Sequence, residues 1–317
     1  MLNIIVLGAV KSTEYTLRAL IRHEMNVVGV LGQENKSDNS ISGYTDLKPV
    51  AEKHSIPFKY FKRINDQENY EWIKKNDSDI IFAVGFSQLV KDDILNLPKK
   101  CCIGFHPTYL PRGRGRAPMA WMILKEKEGA ATFFKMGKGA DDGPIFAQRK
   151  FIIDESDYVE DVRRKILKSI DIALDNWLPN LKKGEWKPKI QDDTKATYYG
   201  KRSPEDGIID WNLNNIDIHR LIRASSKPYP GAYTFFGKYK LFINKATPFT
   251  TNQLGVVGKV IEFKGENPIV QCGENHLEIE DYDIKDLNEN IIDKKLKIGN
   301  SLGYNIEEIL FELINSK

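Results

Sequence analysis

His106 has the surroundings in this sequence that best fit a chemical role. It follows a short apolar run, Cys101 to Phe105, and precedes a loop rich in proline, glycine and arginine at 107–117. The apolar run predicts a buried strand, and a helix is predicted to begin at Pro118 because proline fits a first helical position. His106 is therefore expected at the carboxyl end of a strand, where open α/β sheets bind ligands.

The loop after His106 carries three arginines, at positions 112, 114 and 116. Guanidinium groups pair well with phosphates and carboxylates, so this loop is suited to meet an anion. A histidine can accept or donate a proton near neutral pH. The plainer alternative is a solvated basic loop beside a structural histidine, but the combination favours a site.

The residues around His106 resemble a family signature. The chain reads His-Pro-Thr-Tyr-Leu-Pro from His106, then Arg114-Gly115, and later Asp141-Asp142-Gly143. These motifs resemble the formyltransferases that use 10-formyltetrahydrofolate, which show Asn-x-His, Arg-Gly and Asp-x-Gly. The resemblance implies that His106 acts as base or oxyanion donor and that Asp141 orients it and stabilises its protonated form. It implies 10-formyltetrahydrofolate as cosubstrate and no metal.

The asparagine of the signature is missing, because Gly104 stands two residues before His106. In the family this asparagine hydrogen-bonds to the formyl oxygen, and loss of an oxyanion donor costs about a hundredfold or more in rate. Either Gln88 or Ser87, which follow the neighbouring predicted strand Ile80–Val84, takes its place, or the chain has lost the activity. We favour an active enzyme, because the histidine, the aspartate and the arginine loop are retained.

The resemblance also implies ligand-binding residues. The residues expected at the folate are Gly85, Phe86, Ser87, Gln88, Leu89 and Asp141. Arg114 and Arg116 are candidates to hold the diphosphate of a nucleotide-linked sugar, or else they pin the loop by bonding carboxylates and carbonyls. Lys11 and Ser12 stand at a predicted helix start, where they can meet a phosphate. A plain helix cap by Ser12 or Thr13 is the alternative there.

Two details favour the sugar N-formyltransferases within the family. Residues 114–118 with Trp121, and later 200–206 and 227–232, are similar to the enzyme that formylates UDP-4-amino-4-deoxy-arabinose. The predicted function is formyl transfer to the amine of a nucleotide-linked amino sugar, for surface glycans such as lipopolysaccharide. Two alternatives stay open. One is methionyl-tRNA formyltransferase, and the other is a non-catalytic folate- or nucleotide-binding relative, which Gly104 supports.

The composition is that of a globular chain with little net charge. Its 317 residues suffice for two domains. The net charge of +3 does not suggest a nucleic-acid surface, which argues against a tRNA partner. The three cysteines form no CxxC pair, so we expect reduced thiols in a cytoplasmic protein. We expect no signal peptide and no membrane span, and a homodimer through the C-terminal part.

The predicted fold class is α/β, a Rossmann-like, mostly parallel sheet (the formyltransferase fold) followed by a smaller OB-like β-barrel. Leu2–Leu7 and Val27–Leu31 are apolar runs typical of parallel strands buried on both faces. We predict a formyltransferase catalytic domain at 1–190, a linker at 191–203 and an OB-like domain at 204–317. The linker is inferred from the preceding glycine, proline and lysines, and the barrel from short strands between turns. An amphipathic helix is predicted from Asn305.

Overall fold

A computed structural model gives the fold of the chain. It describes residues 1–35, 41, 43–85, 87–304, 310 and 313–315. Phe86, predicted to contact folate, and most of the helix predicted from Asn305 lie outside the described residues. The chain divides into two compact units. The first comprises Met1–Ser156 and Asp161–Lys201, and the second comprises Asp157–Glu160 and Arg202–Lys317.

The first unit is a sheet with flanking helices. Its strands are β1 (Asn3–Gly8), β2 (Asn26–Gln33), β3 (Phe58–Phe61), β4 (Ile80–Val84), β5 (Cys101–His106), β6 (Arg114–Gly115), β7 (Glu128–Lys135), β8 (Ile145–Ile152) and β9 (Tyr198–Tyr199). Its helices are α1 (Lys11–Arg22), α2 (Lys48–Lys53), α3 (Gln67–Lys75), α4 (Asp92–Leu95), α5 (Pro118–Lys125) and most of α6 (Val159–Lys182).

Seven of these strands form one sheet in the order β3-β2-β1-β4-β5-β7-β8. The strands β1 to β5 run parallel, whereas β7 and β8 pair antiparallel at one edge. All five residues of β4 are buried, as are those of β1 from Ile4 onward. Apolar runs appear in the sequence because both faces of these strands are covered. The predicted α/β fold class is confirmed.

Helix α1 begins at Lys11, before either Ser12 or Thr13. Val10 is the N-cap residue, and its own side chain makes no capping hydrogen bond. The Thr13 hydroxyl accepts a hydrogen bond from the Val10 N–H at 3.4 Å and donates to the carbonyl oxygen of Val84 at 2.6 Å. Ser12 and Thr13 are therefore not the N-cap residue, because both lie inside the helix, although the Thr13 side chain binds the N-cap backbone. Among the described residues, no helix is long and apolar enough to cross a membrane.

Between Arg202 and Tyr304 the second unit contains a small antiparallel sheet and an α-helix. Its elements are α7 (Asn215–Ser225), β10 (Ala232–Phe236), β11 (Tyr239–Phe249), β12 (Val260–Lys264), β13 (Asn267–Gln271) and β14 (His276–Lys285). The five strands follow the order β10-β11-β14-β13-β12, all antiparallel. Ile218 and Ile222 of α7 belong to the core of this sheet. The predicted antiparallel domain is present, and its closure into an OB-like barrel stays a prediction.

The segment predicted as a linker, 191–203, lies largely in the first unit, which extends to Lys201. Strand β9 in this segment pairs with β6, and Gln191 is buried. Most of its other residues are exposed, so its polar composition resembles that of a linker although its backbone is paired. The predicted boundaries between a catalytic and an OB-like domain stay a prediction.

Partial burial of His219 in the second unit predicts that stability falls in acid. Burial, reinforced by the nearby Arg223, lowers the pKa of this imidazole from 6.5 to about 4. Between these values the unfolded chain binds the proton and the folded chain does not, so the free energy of unfolding decreases as pH falls from about 6.5 to about 4. His219→Gln is expected to reduce this decrease, measured by urea unfolding at pH 7 and pH 5. His54→Gln, at an exposed position, serves as control. An undiminished decrease in His219→Gln would contradict the prediction.

Candidate functional site

His106 is the last residue of β5 and is 6% exposed. Its Nε2 lies 2.8 Å from the carbonyl oxygen of Gly113, and its Nδ1 lies 3.4 Å from Oδ2 of Asp141. A carbonyl oxygen can only accept a hydrogen bond, so this geometry assigns the ring proton to Nε2. Nδ1 is then the nitrogen that can take up a second proton, and a carboxylate stands beside it to stabilise the resulting charge.

Asp141 is held through both its side chain and its backbone. Its Oδ2 accepts a hydrogen bond from the Gly115 N–H at 2.9 Å, and its carbonyl oxygen accepts one from Gln191 Nε2 at 2.8 Å. Its backbone is left-handed, with φ of 55°, a conformation that aspartate tolerates better than most residues. The side chain is 20% exposed. The carboxylate therefore contacts His106 and keeps an open side for a ligand.

The glycine of the Asp-x-Gly motif is required by close backbone packing. A Cβ on Gly143 would lie 1.7 Å from the carbonyl oxygen of Lys135, the last residue of β7. A side chain at this position is excluded unless the loop moves away from the strand. Gly143 thus lets the loop close tightly over the end of β7, which brings Asp141 to His106.

The side-chain amide of Gln88 hydrogen-bonds to the backbone of the segment after β3. Its Oε1 accepts a hydrogen bond from the Ile64 N–H at 2.8 Å, and its Nε2 donates to the Lys62 carbonyl at 2.7 Å. Both ends of the amide therefore tie the segment after β4 to the segment after β3. One of the two N–H donors of Gln88 is therefore used by the backbone, which supports a structural role, and its role as an oxyanion donor stays a prediction.

An aromatic ring lies where an asparagine side chain would start. A Cβ on Gly104 would lie 2.9 Å from the ring of Phe134 and 2.9 Å from Cγ of Met136. Phe134 is directly opposite Gly104 in the pairing of β5 with β7 and is 5% exposed. Glycine at position 104 and phenylalanine at position 134 therefore fit each other, and the space for the family's amide is occupied.

Gly104→Asn is accordingly expected to lower the free energy of unfolding by about 1–3 kcal/mol, since overpacking a filled core forces side chains to shift. The cost is expected to shrink when Phe134→Leu makes room. Urea unfolding of both single variants and the double variant measures the coupling between the two positions. If the effects of the two substitutions on the free energy of unfolding are additive, the Phe134 ring does not occupy the volume that the asparagine side chain needs.

Arg114 and Arg116 have different environments. Arg114 is 1% exposed, and its guanidinium donates to Gln191 Oε1 at 2.9 Å, Asp193 Oδ1 at 2.7 Å and the Tyr198 hydroxyl at 2.8 Å. These contacts support the alternative that Arg114 pins the loop, and its role at a diphosphate stays a prediction. Arg116 is exposed, and within the described part of the chain its side chain makes no hydrogen bond or ion pair.

Lys11 and Ser12 lie at the start of α1 in different environments, and their contact with a phosphate stays a prediction. Lys11 Nζ pairs with Glu14 Oε2 at 2.9 Å, although the lysine side chain is 45% exposed. Ser12 is 8% exposed, and a Cβ on Gly85 would lie 2.5 Å from its hydroxyl oxygen. Ser12 therefore packs between α1 and the segment after β4. The Lys11 ammonium group, in contrast, reaches solvent.

Ser87 and Leu89 follow β4 at the sheet edge that also carries His106, because β4 and β5 are adjacent and parallel. Ser87 is exposed, and Leu89 is 81% exposed. Gly85, Ser87 and Leu89 therefore lie in the segment after β4, at the sheet edge that also carries His106.

Residues 2–176 match the model of the family described as Formyl transferase, and residues 201–290 match that of Formyl transferase, C-terminal domain. The chain belongs to the formyl transferase family. The predicted resemblance is thereby confirmed. Over 265 residues the chain is 31% identical to the bifunctional polymyxin resistance protein ArnA of Wigglesworthia glossinidia brevipalpis, a match that covers 83% of this chain and 40% of that protein.

Two solved structures share the fold of this formyl transferase family member. The N-formyltransferase from Helicobacter canadensis, in complex with folinic acid and dTDP-3-aminofucose, is 19% identical with a TM-score of 0.64, covering 88% of this chain and 99% of that one. HypX from Aquifex aeolicus, in complex with tetrahydrofolic acid, is 16% identical with a TM-score of 0.64, covering 98% of this chain and 47% of that one. The chain thus spans less than half of ArnA and of HypX.

The sequence did not predict several groups that hold the His106–Asp141 pair of this formyl transferase in place. The carbonyl of Gly113, the N–H of Gly115 and the amide of Gln191 each contact His106 or Asp141. Gly115 belongs to the Arg-Gly motif, so a signal for it existed. Gln191 had none, because it stands in a polar segment far along the chain from both partners.

Proposed function

We propose that this chain transfers the formyl group of 10-formyltetrahydrofolate to the amine of a nucleotide-linked amino sugar. The observation that carries the proposal is the His106–Asp141 pair at the carboxyl end of β5, in a chain of the formyl transferase family. The relative from Helicobacter canadensis, solved with folinic acid and dTDP-3-aminofucose, supports both the cosubstrate and the acceptor class. The similarity to ArnA adds support, although the chain spans 40% of that protein.

The geometry suits the proton transfer that this reaction needs. The amine attacks the formyl carbon, a tetrahedral oxyanion forms, and the amine nitrogen loses a proton. Nδ1 of His106 accepts that proton as a general base, and Asp141 at 3.4 Å stabilises the imidazolium. The proton then passes to N10 of the folate as its bond to the formyl carbon breaks. The formyl group and the proton are thus both accounted for.

The proposed ligand positions follow from exposure. Folate is assigned to the edge formed by Gly85, Ser87 and Leu89, beside His106. The charge of the nucleotide-linked sugar is assigned to Arg116, which is exposed, because a guanidinium can bind phosphate in a bidentate manner.

A second candidate function is folate or nucleotide binding without turnover. The packing of Phe134 against Gly104 favours it, since the ring occupies the space of the family's amide donor. Binding requires the exposed edge after β4, whereas turnover also requires stabilisation of the oxyanion. The two functions therefore differ in whether folate is released with an acceptor.

The test is tetrahydrofolate release from 10-formyltetrahydrofolate with a panel of UDP-, dTDP- and GDP-linked amino sugars and with initiator methionyl-tRNA. Release with one sugar is the expected result. Release with the charged tRNA alone would replace the acceptor class by tRNA. Folate binding without release by any acceptor would favour the binding function.

A further inference from the structure

We propose that Gln191 is a positioning residue for the His106–Asp141 pair, holding the carboxylate at the nitrogen that takes up the proton. The inference rests on the proposed function, since it concerns the same proton transfer. Gln191 lies in the polar segment after α6, which the sequence predicts as a linker. No motif marks this residue, so its role follows from its contacts alone.

The amide of Gln191 has its hydrogen bonds fully assigned. Its Nε2 donates to the carbonyl oxygens of Asp141 at 2.8 Å and Gly143 at 2.7 Å. Its Oε1 accepts from Arg114 Nη2 at 2.9 Å and from Nε at 3.3 Å. Carbonyls cannot donate and a guanidinium cannot accept, so only one orientation of the amide satisfies all four contacts. With the residue 8% exposed, water cannot easily replace them.

These contacts hold the two ends of a short stretch of backbone. Asp141 has a left-handed φ of 55°, and residues 137–140 before it are exposed. Gln191 binds the carbonyl of Asp141 itself and that of Gly143, two residues further on. Anchoring on both sides of Asp142 fixes the backbone from which the Asp141 side chain reaches His106.

Gln191 also closes a ring of contacts around the pair. Arg114, bound to the oxygen of Gln191, is followed by Gly115, whose N–H donates to the Asp141 carboxylate. Gly113, which precedes Arg114, accepts the hydrogen bond from His106 Nε2 with its carbonyl oxygen. Residues 113–115 therefore contact both side chains of the pair, and Gln191 connects this stretch to the Asp141 backbone. The distance between Nδ1 and the carboxylate depends on that connection.

Gln191→Glu keeps one oxygen of the side-chain amide and replaces its NH2 group by a second oxygen. The glutamate keeps an oxygen for Arg114, which favours the ionised form, but it presents a second oxygen to two carbonyls and donates nothing. Because misplacement of a reacting group by about 1 Å can cost roughly a hundredfold, kcat for formyl transfer is expected to fall about tenfold to a hundredfold. The KM for folate is expected to stay within about threefold, since Gly85, Ser87 and Leu89, to which folate is assigned, follow β4 and do not belong to this loop.

Gln271→Glu is the matched control. Gln271 is 6% exposed, and its Nε2 likewise donates to two backbone carbonyls, of Cys272 and Asn275, in the second unit. It places the same new carboxylate against two carbonyls, and its other oxygen faces the Gly255 N–H and His276 Nε2 in place of a guanidinium, so it is expected to cost at least as much stability. If Gln191 acted through stability alone, the two variants would have similar kcat values at a temperature where both are folded.

A second readout does not depend on activity. In the full chain labelled with ¹⁵N-histidine, the ring resonances of His106, assigned by their loss in His106→Gln, are expected to move in Gln191→Glu and to stay in Gln271→Glu. Unmoved resonances, or moved resonances with unchanged kcat, would overturn the positioning role. If no acceptor supports transfer but the resonances still move, the proposed function fails and the effect of Gln191 on the pair stands.

Discussion

His106→Gln is expected to lower kcat for formyl transfer by about a thousandfold, within the range that a positioned general base contributes. A glutamine amide at this position can still donate to the Gly113 carbonyl, which His106 Nε2 meets at 2.8 Å. It cannot take up a proton in place of Nδ1. The variant therefore retains the donor that holds the loop and loses the base, so the fall is expected in kcat and not in the affinity for folate.

The measurement combines initial rates of tetrahydrofolate release with a folate titration followed by intrinsic fluorescence. His276→Gln is the control, because His276 is also a buried histidine, 2% exposed, with Nε2 3.0 Å from Gln271 Oε1. It lies in the second unit and is expected to change stability without lowering kcat. A His106→Gln variant that keeps more than about a tenth of the wild-type kcat would show that another group accepts the proton.

The sheet of the first unit was predictable because its strands are buried on both faces. The runs at β1, β4 and β5 contain few polar residues and stop at glycine or at a residue with a chemical role, such as His106. A strand that is buried on both faces requires apolar residues at consecutive positions. The placement of His106 at a strand end follows from the same pattern, since the strand ends where the apolar run does.

The contacts that complete the site were not predictable in this way, because they join distant parts of the chain. Arg114 meets Gln191 across 77 positions and Asp193 across 79. Phe134 reaches Gly104 through the pairing of β7 with β5. A residue type in one segment does not reveal its partner in another, so the sequence showed that the asparagine was missing and not what fills its place.

The two arginines show how local structure divides one motif into two roles. Arg114 and Gly115 form β6, and the Arg116 N–H continues the pairing by donating to the Tyr199 carbonyl at 3.0 Å. In a regular strand, residues two apart share a face, but β6 ends at Gly115, whose φ of 103° departs from strand geometry. Arg114 is buried against the segment after α6, whereas Arg116 faces solvent. The sequence left open whether these arginines hold an anion or pin the loop, because a two-residue strand and the turn at its end are too short to predict.

Arg114→Met is expected to lower the free energy of unfolding by about 2–4 kcal/mol, since it removes several hydrogen bonds and leaves a buried acceptor unpaired. That acceptor is Oε1 of Gln191, which is 8% exposed, whereas Asp193, whose side chain is 79% exposed, can turn to water. A thermal midpoint lower by about 5–10 °C is the corresponding shift. Arg116→Met is the comparison, because it removes the same charge two residues away at an exposed position.

Arg116→Met is expected to leave the midpoint within about 1 °C and to raise the KM for the nucleotide-linked sugar about tenfold, the loss of one charge-assisted contact. Differential scanning calorimetry and acceptor titrations measure the two effects on the same samples. Equal midpoints for both variants would show that Arg114 does not pin the loop. A raised acceptor KM in a fully stable Arg114→Met would return this residue to the ligand. The opposite pattern, with stability lost at position 114 and acceptor affinity lost at position 116, assigns one arginine to the fold and its neighbour to the substrate.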